Sequence, residues 1–443
     1  MEQDTFTVLV TGANSGLGYA ICCRLIDEFL HTRPQSQNLH ILFSTRDQRK
    51  SEATRKRLHG HLQKTLRNIN DSTHGKISLL LESRVKIEGV LVDLTKLITV
   101  KALAQSLVRR GQRLDAAICN AGVAGWLGTN WVKAIPEVIT GLIEATTAPE
   151  FMICDVGLLA KPQGTLSGKR DGKGGEEEPT LGQVFLSNVF GHYMLVHWLS
   201  PVLDGNSRVI WISSVSALEN LFSRQDLQGL RSDRAYESSK RLTDLLVLTS
   251  DLPSTTPFTS TFWAQDSSQA STTKTKAEAR PKMYLTHPGV IQTSIADLNP
   301  IMSFFMLLSL YYARLLGSPW HPISPYKGAI SAVYAALSPT SQLPGQEEMD
   351  GKGKWGSSTD VFGGERVART EVDGWGFAGV VGRIPTGSVA GKMGRRKGWR
   401  EMTGERREEF EVEGREVWRD MERLRVEWEG RLGEVEVGKG EDV

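Results

Sequence analysis

Apolar and polar positions along the first 300 residues follow two periods in turn, which predict strands and helices. Short apolar runs rich in β-branched residues occur at 6–10, 39–45, 86–92, 114–120, 208–214 and 282–289. Stretches with helical spacing lie at 19–30, from 46 to about 70, and at 100–110, 183–203 and 235–250. Strands that alternate with helices form parallel sheets. The pattern therefore predicts a doubly wound α/β fold with helices on both faces of a parallel sheet.

Two segments interrupt this order. Residues 161–178 are Gly-rich and charged, and residues 251–280 are dominated by Ser, Thr and Ala. Such compositions bury too little apolar area to offset the entropy of the ordered chain. We predict both segments as surface insertions in one Rossmann-like domain over residues 1–340.

The composition changes again after residue 341. The chain is Gly-rich to about residue 397 and then dense in Arg and Glu to residue 432. Large apolar residues in this region are spaced so that many fall on one helical face: Trp399, Phe410, Val417, Trp418, Leu424 and Trp428. For 341–443 we predict a Gly-rich linker and an amphipathic helical tail, laid against the domain or against a partner.

One uncharged segment, 298–313, is rich in Leu, Met and Phe. It is shorter than the roughly 20 residues that span a bilayer. It predicts a lid helix, a helix in peripheral contact with a membrane, or a buried core helix. A membrane-anchored binding protein would need a longer span.

Charge and cysteine content narrow the class of protein. A formal charge of +2 gives no basic field for nucleic acid. The N-terminal residues 1–5 carry two acids and no apolar leader follows them, so synthesis in the cytosol is expected. The four cysteines, Cys22, Cys23, Cys119 and Cys154, have neither metal-binding nor disulfide spacing, which predicts reduced thiols and no metal site.

The sequence TGANSGLG at 11–18 lies between the first strand and the first helix. Its glycines let backbone N–H groups and the helix N-terminus approach a pyrophosphate. The second strand ends at Thr45 and is followed by Arg46, where NAD-binding proteins carry an acid for the adenosine ribose. A cation there suits a 2′-phosphate and favours NADPH over NADH. Alternatively, Arg46, Arg49 and Lys50 are only solvent-exposed charges at the start of a helix and bind no cofactor.

Tyr236 and Lys240 form a Y-x-x-x-K motif on a predicted helix, which places both side chains on one face. An ammonium near a phenol favours the phenolate, so we expect Lys240 to lower the pKa of Tyr236 and prepare it for acid–base work. The motif alone is weak.

Together these motifs resemble the short-chain dehydrogenase/reductase family over residues 11–293. The resemblance implies that Asp93 meets the adenine and that Asn120, Ala121 and Gly122 end the next strand beside the cofactor. It further implies that the P-G turn after His287 contacts the nicotinamide end. The cofactor-binding residues that we predict are Thr11, Gly12, Asn14, Ser15, Gly16, Leu17, Gly18, Thr45, Arg46, Asp93, Asn120, Ala121, Gly122, Tyr236, Lys240, Pro288, Gly289, Val290 and Thr293.

The same resemblance implies the catalytic groups. A nicotinamide would transfer hydride to a ketone carbon while Tyr236 protonates the developing alkoxide. Ser214, with Ser213 and Ser216 close by, would polarise the carbonyl, and Asn188 would position a proton-relaying water. Lys240 would hold the ribose hydroxyls. Ser214 lies 22 residues before Tyr236, more than is common in the family, so an insertion near 217–232 is expected to loop out beside the substrate.

A more specific resemblance covers nearly the whole chain. The likeness is to the fungal 3-keto-steroid reductases of ergosterol synthesis. It rests on the segment VTGANSGLGYAICCRLIDEFL at 10–30, on the runs WISSVSA and HPGVIQTSI, and on the Trp-rich tail. The likeness implies NADPH-dependent reduction of a sterol 3-ketone to the 3β-hydroxyl after C4 decarboxylation. It also implies peripheral residence at the cytosolic face of the endoplasmic reticulum and on lipid droplets. Expected partners are a C4 oxidase, a C3 dehydrogenase/decarboxylase and a scaffold.

Two other functions fit the residues. The chain could reduce another lipophilic carbonyl, such as retinal or a xenobiotic ketone. It could also be a non-catalytic scaffold that binds NADPH, although a scaffold has no need of a tuned phenol.

Overall fold

An eight-stranded sheet forms the centre of the molecule, for which the computed structural model describes residues 4–73, 81–164, 178–264, 280–292, 300–391, 395 and 399–433. Its strands are β1 Asp4–Val10, β2 Gln37–Thr45, β3 Val85–Leu91, β4 Ala116–Cys119, β7 Arg208–Ile212, β8 Lys282–His287, β9 Lys354–Thr359 and β10 Glu365–Thr370. The order is β10-β9-β8-β7-β4-β1-β2-β3, with every pair parallel except β9 with β10. This confirms the predicted doubly wound fold.

Helices cover both faces of this sheet, and a small two-stranded antiparallel sheet, β5 Trp126–Thr129 with β6 Met152–Cys154, lies apart from it. The helix α6 has three consecutive parts, Gln183–Phe185, the π-helical Leu186–Phe190 and Gly191–Trp198. The other described helices are α1 Gly16–Thr32, α2 Gln48–Thr73, α3 Leu97–Arg109, α4 Trp131–Thr140, α5 Leu142–Thr147, α7 Ala235–Thr249, α8 Thr256–Trp263, α9 Pro300–Leu315, α10 Pro325–Gly328, α11 Ile330–Leu337, α12 Gln342–Asp350 and α13 Gly404–Gly433.

The central strands are buried on both faces, which explains their continuous apolar runs. On one face α1, α2 and α11 contribute Phe29, Leu58 and Val333 to the core. On the other face, α3, α6 and α7 contribute Leu103, Phe185 and Leu245 to the core. The carboxyl ends of β1 and β4 meet where the strand order reverses, and ligands bind at this edge in doubly wound sheets.

The sheet extends beyond the predicted domain end at residue 340, because β9 and β10 belong to it. The sequence of β9, KWGSST, has no apolar run, so its pattern does not predict a strand. Its polar side chains are nevertheless buried and paired. For example, the Ser357 hydroxyl donates to the Gly328 carbonyl oxygen at 2.7 Å. Much of the predicted linker is therefore part of the domain.

The C-terminal helix α13 lies against the domain, which is the first of its two predicted positions. Val417, Trp418 and Trp428 are fully buried in the core that includes α7. The Trp418 indole N–H donates to the Leu246 carbonyl oxygen at 3.0 Å. The tail is thus part of the same folded unit.

The predicted insertion at 251–280 is partly wrong, and most of the segment predicted at 161–178 lies outside the described residues, as does 265–279. Helix α8 places the ring of Phe262 in the core, 4.5 Å from the Tyr193 ring centroid. The prediction failed here because it rested on the high Ser and Thr content of the segment, which does not show that one apolar residue is buried.

The apolar segment predicted at 298–313 forms α9, with residues 298 and 299 outside the described part. Leu310 and Ala313 are buried, whereas Phe304 and Leu308 are exposed. Within the described ranges, no helix is both long enough and apolar enough to cross a membrane.

Candidate active site

A cavity of about 1000 Å³ opens at the carboxyl edge of the parallel strands. Its wall includes the turn after β1, the ends of β2 and β7, and the start of α7. The cavity lies at the switch point of the sheet order, where this type of fold binds nucleotides. Most of the predicted site residues line it.

The glycine turn after β1 has the geometry of a phosphate cradle. Gly12 and Gly16 adopt φ values of 67° and 54°, which side chains rarely tolerate. A Cβ on Gly18 would lie 2.3 Å from the Gly12 carbonyl oxygen. Ser15 immediately precedes α1, so the helix N-terminus faces the cavity with unpaired backbone N–H groups.

Thr11 joins this turn to the segment after β4. Its hydroxyl accepts from the backbone N–H of Asn120 at 2.9 Å and of Ala121 at 3.0 Å. The Asn120 amide donates back to the Thr11 carbonyl oxygen at 2.9 Å. His192, which the sequence analysis missed, lies 2.8 Å from the Thr11 hydroxyl, and burial lowers its pKa to about 3.

At the end predicted for the adenosine, Thr45 and Arg46 line the cavity, and Arg46 is exposed. Asp93 also lines it; its carboxylate accepts from the Thr95 hydroxyl at 2.7 Å and the Thr95 backbone N–H at 3.0 Å. At the other end lie Pro288, Gly289 and Val290. Thr293 falls outside the described residues.

These walls fit a nicotinamide dinucleotide. They offer a glycine cradle that side chains would fill, a helix N-terminus, and a cation beside the second strand.

Tyr236 and Lys240 project from α7 into the far half of the cavity. The Lys240 ammonium lies 5.6 Å from the Tyr236 ring centroid and donates to the Ile212 carbonyl oxygen at 2.8 Å. The ring of Trp126 packs edge-on against the Tyr236 ring at 5.6 Å between centroids. The motif therefore has the predicted placement.

The predicted lowering of the Tyr236 pKa is wrong for this structure. Burial, and then the charge of Glu237, raise the pKa of Tyr236 to about 12, against the opposing effect of its hydrogen bond with Ser214. Burial, and then the charge of the neighbouring Lys354, lower the pKa of Lys240 to about 8, against the opposing effect of Asp244. Desolvation disfavours the charged form of each group and is the largest cause of both shifts. Tyr236 is consequently a protonated acid at neutral pH.

Three serines follow β7, and their partners distinguish them. The Ser213 hydroxyl donates to the buried Asp244 carboxylate, so it is committed to the protein interior. The Ser214 hydroxyl lies 2.9 Å from the Ser216 hydroxyl, and its polarity lowers the pKa of the nearby Tyr236 phenol. Ser214 is thus the serine placed beside the phenol.

Asn188 lies in the π-helical part of α6 and is almost fully buried. Its side-chain oxygen accepts from the Val123 N–H at 2.8 Å, and its amide donates to the Val123 carbonyl oxygen at 2.9 Å and to the Ser239 hydroxyl at 3.0 Å. These contacts clamp the chain after Gly122. A part in proton relay stays a prediction.

The sequence analysis missed β5, β6 and α4, which form the apolar half of the cavity together with α9, the segment for which a lid was one of the predicted roles. Its lining includes Trp126, Trp131, Ile135, Phe151, Phe305 and Leu310. One signal was available: Asn130 caps α4, accepting the Lys133 N–H at 3.2 Å, before helically spaced apolar residues. Conversely, residues 217–232, all described, do not border the cavity; Glu219 and Arg224 pair with α13 instead.

The sheet order, the glycine cradle and the juxtaposed Ser214, Tyr236 and Lys240 define the chain as a short-chain dehydrogenase/reductase. No protein-family model matches the sequence. The chain is 42% identical to the 3-keto-steroid reductase erg27 of Aspergillus fumigatus, over 97% of this chain and 95% of that protein. The enzymes of the same name from Gibberella zeae and Schizosaccharomyces pombe are 36% and 30% identical, over 97% and 82% of this chain and 96% and 90% of theirs.

The chain therefore belongs to the family of fungal 3-keto-steroid reductases. Among solved structures it is similar to a metagenomic short-chain oxidoreductase in complex with NADP, with 15% identity and a TM-score of 0.37, over 77% of this chain and 94% of that one.

Proposed function

We propose that this chain reduces the 3-keto group of a sterol intermediate to the 3β-hydroxyl in ergosterol biosynthesis, with NADPH. The observation that carries the proposal is the cavity, in which a protonated Tyr236 and Ser214 stand beside a largely apolar wall. Such a wall suits a rigid hydrocarbon with one polar end. The family supports the 3-ketone as that end.

The chain's own groups account for the reaction. Bound NADPH would supply the hydride. Ser214 donates a hydrogen bond to the ketone oxygen, where negative charge develops. Tyr236 gives its phenolic proton to that oxygen, and the nearby Lys240 ammonium stabilises the phenolate left behind. The apolar wall excludes water from the reacting carbonyl.

Steady-state turnover of a 3-keto sterol, such as zymosterone, against retinal tests the substrate class. We expect kcat/KM for the sterol to exceed that for retinal by at least about tenfold, because the rigid ring system fills the wall. Equal or greater turnover of retinal would favour the alternative lipophilic carbonyl. Tight cofactor binding without turnover of either would favour the scaffold.

Arg46 is proposed to select NADPH over NADH. Replacing Arg46 by Ala is expected to raise KM for NADPH roughly 10- to 100-fold, since a hydrogen bond to a charged group contributes about 1.5–3 kcal/mol. KM for NADH should stay unchanged. Lys64→Ala removes an exposed cation from α2, the helix that follows Arg46, and is the control. A parallel loss for both cofactors in the Arg46 variant would contradict this role.

Peripheral membrane contact is proposed for α4 and α9, the two helices that line the apolar side of the cavity. The two helices expose Val132 by 87%, Phe304 by 62% and Ile139, which also lines the cavity, by 78%. Contiguous exposed apolar groups mark an interaction surface, and a lipid surface fits because the substrate dissolves in lipid. A sterol could then enter the cavity between the two helices.

Vesicle co-sedimentation checks this surface. With neutral phosphatidylcholine vesicles, the triple variant Val132→Asp, Ile139→Asp, Phe304→Asp should bind roughly tenfold less than the unchanged chain. Val426→Asp, on an exposed position of α13, is the control and should bind normally. Unchanged binding by the triple variant would place the membrane contact elsewhere.

From the family resemblance we also propose residence at the endoplasmic reticulum and lipid droplets, in an assembly with a C4 oxidase, a C3 dehydrogenase/decarboxylase and a scaffold. Recovery of these three proteins with the tagged chain from fungal microsomes tests the assembly. Their absence from a mild-detergent purification that retains enzyme activity would count against it.

A further inference from the structure

A buried ion pair lies directly behind the proposed catalytic groups. The Lys354 ammonium, at the start of β9, is 2.7 Å from the Asp244 carboxylate on α7. The two side chains are 3% and 0% exposed. Removing two charges from water costs several kcal/mol, and a well-packed apolar pair would join a strand to a helix as well. The position of the pair therefore needs a reason besides stability.

The ion pair holds the chain segment that carries the serine. The Lys354 ammonium donates to the Ser214 carbonyl oxygen at 2.7 Å. The other oxygen of Asp244 accepts from the Ser213 hydroxyl. Both residues after β7 are thus fixed by the same two charges, one through its backbone and the other through its side chain.

The pair is also built into the helix that carries the phenol. Tyr236, Lys240 and Asp244 are spaced by four residues along α7, which places them on one side of the helix. Ser213 also contacts the Lys240 carbonyl oxygen at 3.4 Å. The distance between the strand end and this helix side sets the approach of the Ser214 hydroxyl to the phenol.

We propose that Lys354 and Asp244 are positioning residues that hold the Ser214 hydroxyl against Tyr236 for ketone reduction. The proposal rests on the proposed function. It predicts that the pair matters for the chemical step more than for binding of cofactor or substrate, since neither side chain donates to the cradle.

The pair has a second effect, which is electrostatic and acts on the pKa of Lys240. Lys354 faces Asp244, Arg241 and Asp373, and its cation also acts on Lys240 and on the buried His287. From α6, His192 faces Lys240. Of the charged groups, Lys354 acts most strongly on Lys240, lowering its pKa, while Asp244 opposes this effect. Loss of Lys354 should therefore raise the pKa of Lys240.

Three variants test the proposal. A single loss leaves a buried unpaired charge and endangers folding, so the double variant Lys354→Met with Asp244→Leu removes both charges and keeps the volume apolar. It should fold with a Tm near that of the unchanged chain, while kcat falls roughly 10- to 100-fold, as expected for a misplaced catalytic group. KM for NADPH should change less than about twofold. Lys354→Arg keeps a cation with N–H donors at this position and should restore kcat to within about threefold.

A double variant that keeps its normal kcat would overturn the proposal, because the pair would then be only structural. A substrate-free readout separates this outcome from failure of the proposed function. The pKa of Lys240, followed by NMR of ¹⁵N-labelled lysine, should rise in Lys354→Met, or in the double variant if the single one does not fold. An unchanged value overturns this second effect, the coupling of the pair's charges to Lys240, even if the unchanged chain turns over no sterol.

Discussion

Replacing Tyr236 by Phe should lower kcat for ketone reduction by roughly 10²- to 10⁴-fold, the usual contribution of a positioned acid. Ser214 and Lys240 both lie near the phenol, and Phe keeps the packing against Trp126. NADPH oxidation with a 3-keto sterol measures the change. The KM for NADPH should remain within about threefold.

The matched control is Tyr193→Phe, since Tyr193 is buried on α6 and donates to Glu422 at 2.7 Å, away from the cavity. It should lose some stability and keep kcat. If Tyr236→Phe retains more than about a tenth of the activity, another group supplies the proton.

The pH profile gives an independent view of the same groups. Tyr236, with a pKa of about 12, stays protonated over the working range. Lys240, with its pKa lowered to about 8, is charged below that pH and loses its charge above it. We therefore expect kcat/KM for reduction to fall as pH rises through about 8. A flat profile between about pH 6 and 10 would contradict this assignment.

Adding a single methyl group at Gly18 should abolish tight cofactor binding. A Cβ there would lie 2.3 Å from the Gly12 carbonyl oxygen and 2.6 Å from the Asn120 amide nitrogen, so the cradle must open. We expect Gly18→Ala to raise the Kd for NADPH by at least about 100-fold and to lower the free energy of unfolding by roughly 1–3 kcal/mol. Calorimetric titration and urea unfolding measure the two effects.

Gly60 provides the control for this change. It lies in α2, and a Cβ there meets nothing within 4 Å. Gly60→Ala should leave the Kd unchanged and stabilise the helix by up to about 1 kcal/mol. Similar affinities of the two variants would show that the turn around Gly18 is not the cofactor cradle.

The sequence predicted those parts of the molecule whose signals are local. Strands β1 and β7 carry apolar runs because both of their faces are buried, and the Y-x-x-x-K spacing fixes two side chains on one helix side. The glycine turn could also be predicted, since its backbone conformations require residues without side chains.

Other parts depend on contacts between distant residues. Lys354 and Asp244 form an ion pair although 110 positions separate them in the sequence. The sequence of β9 is typical of a polar loop, because its Ser and Thr side chains are hydrogen-bonded only in the folded chain. The pKa of Tyr236 could not be predicted either. The motif shows the neighbouring charge, whereas the burial that dominates comes from the cavity wall.

Transfer of deuterium from NADPH labelled at both C4 positions, [4,4-²H₂]NADPH, to a 3-keto sterol tests the central claim most directly. The account predicts a 3β-hydroxysterol that carries the label at C3, formed by the unchanged chain and not by Tyr236→Phe. Absence of labelled product from folded, cofactor-binding protein, or equal product from the variant, would contradict it.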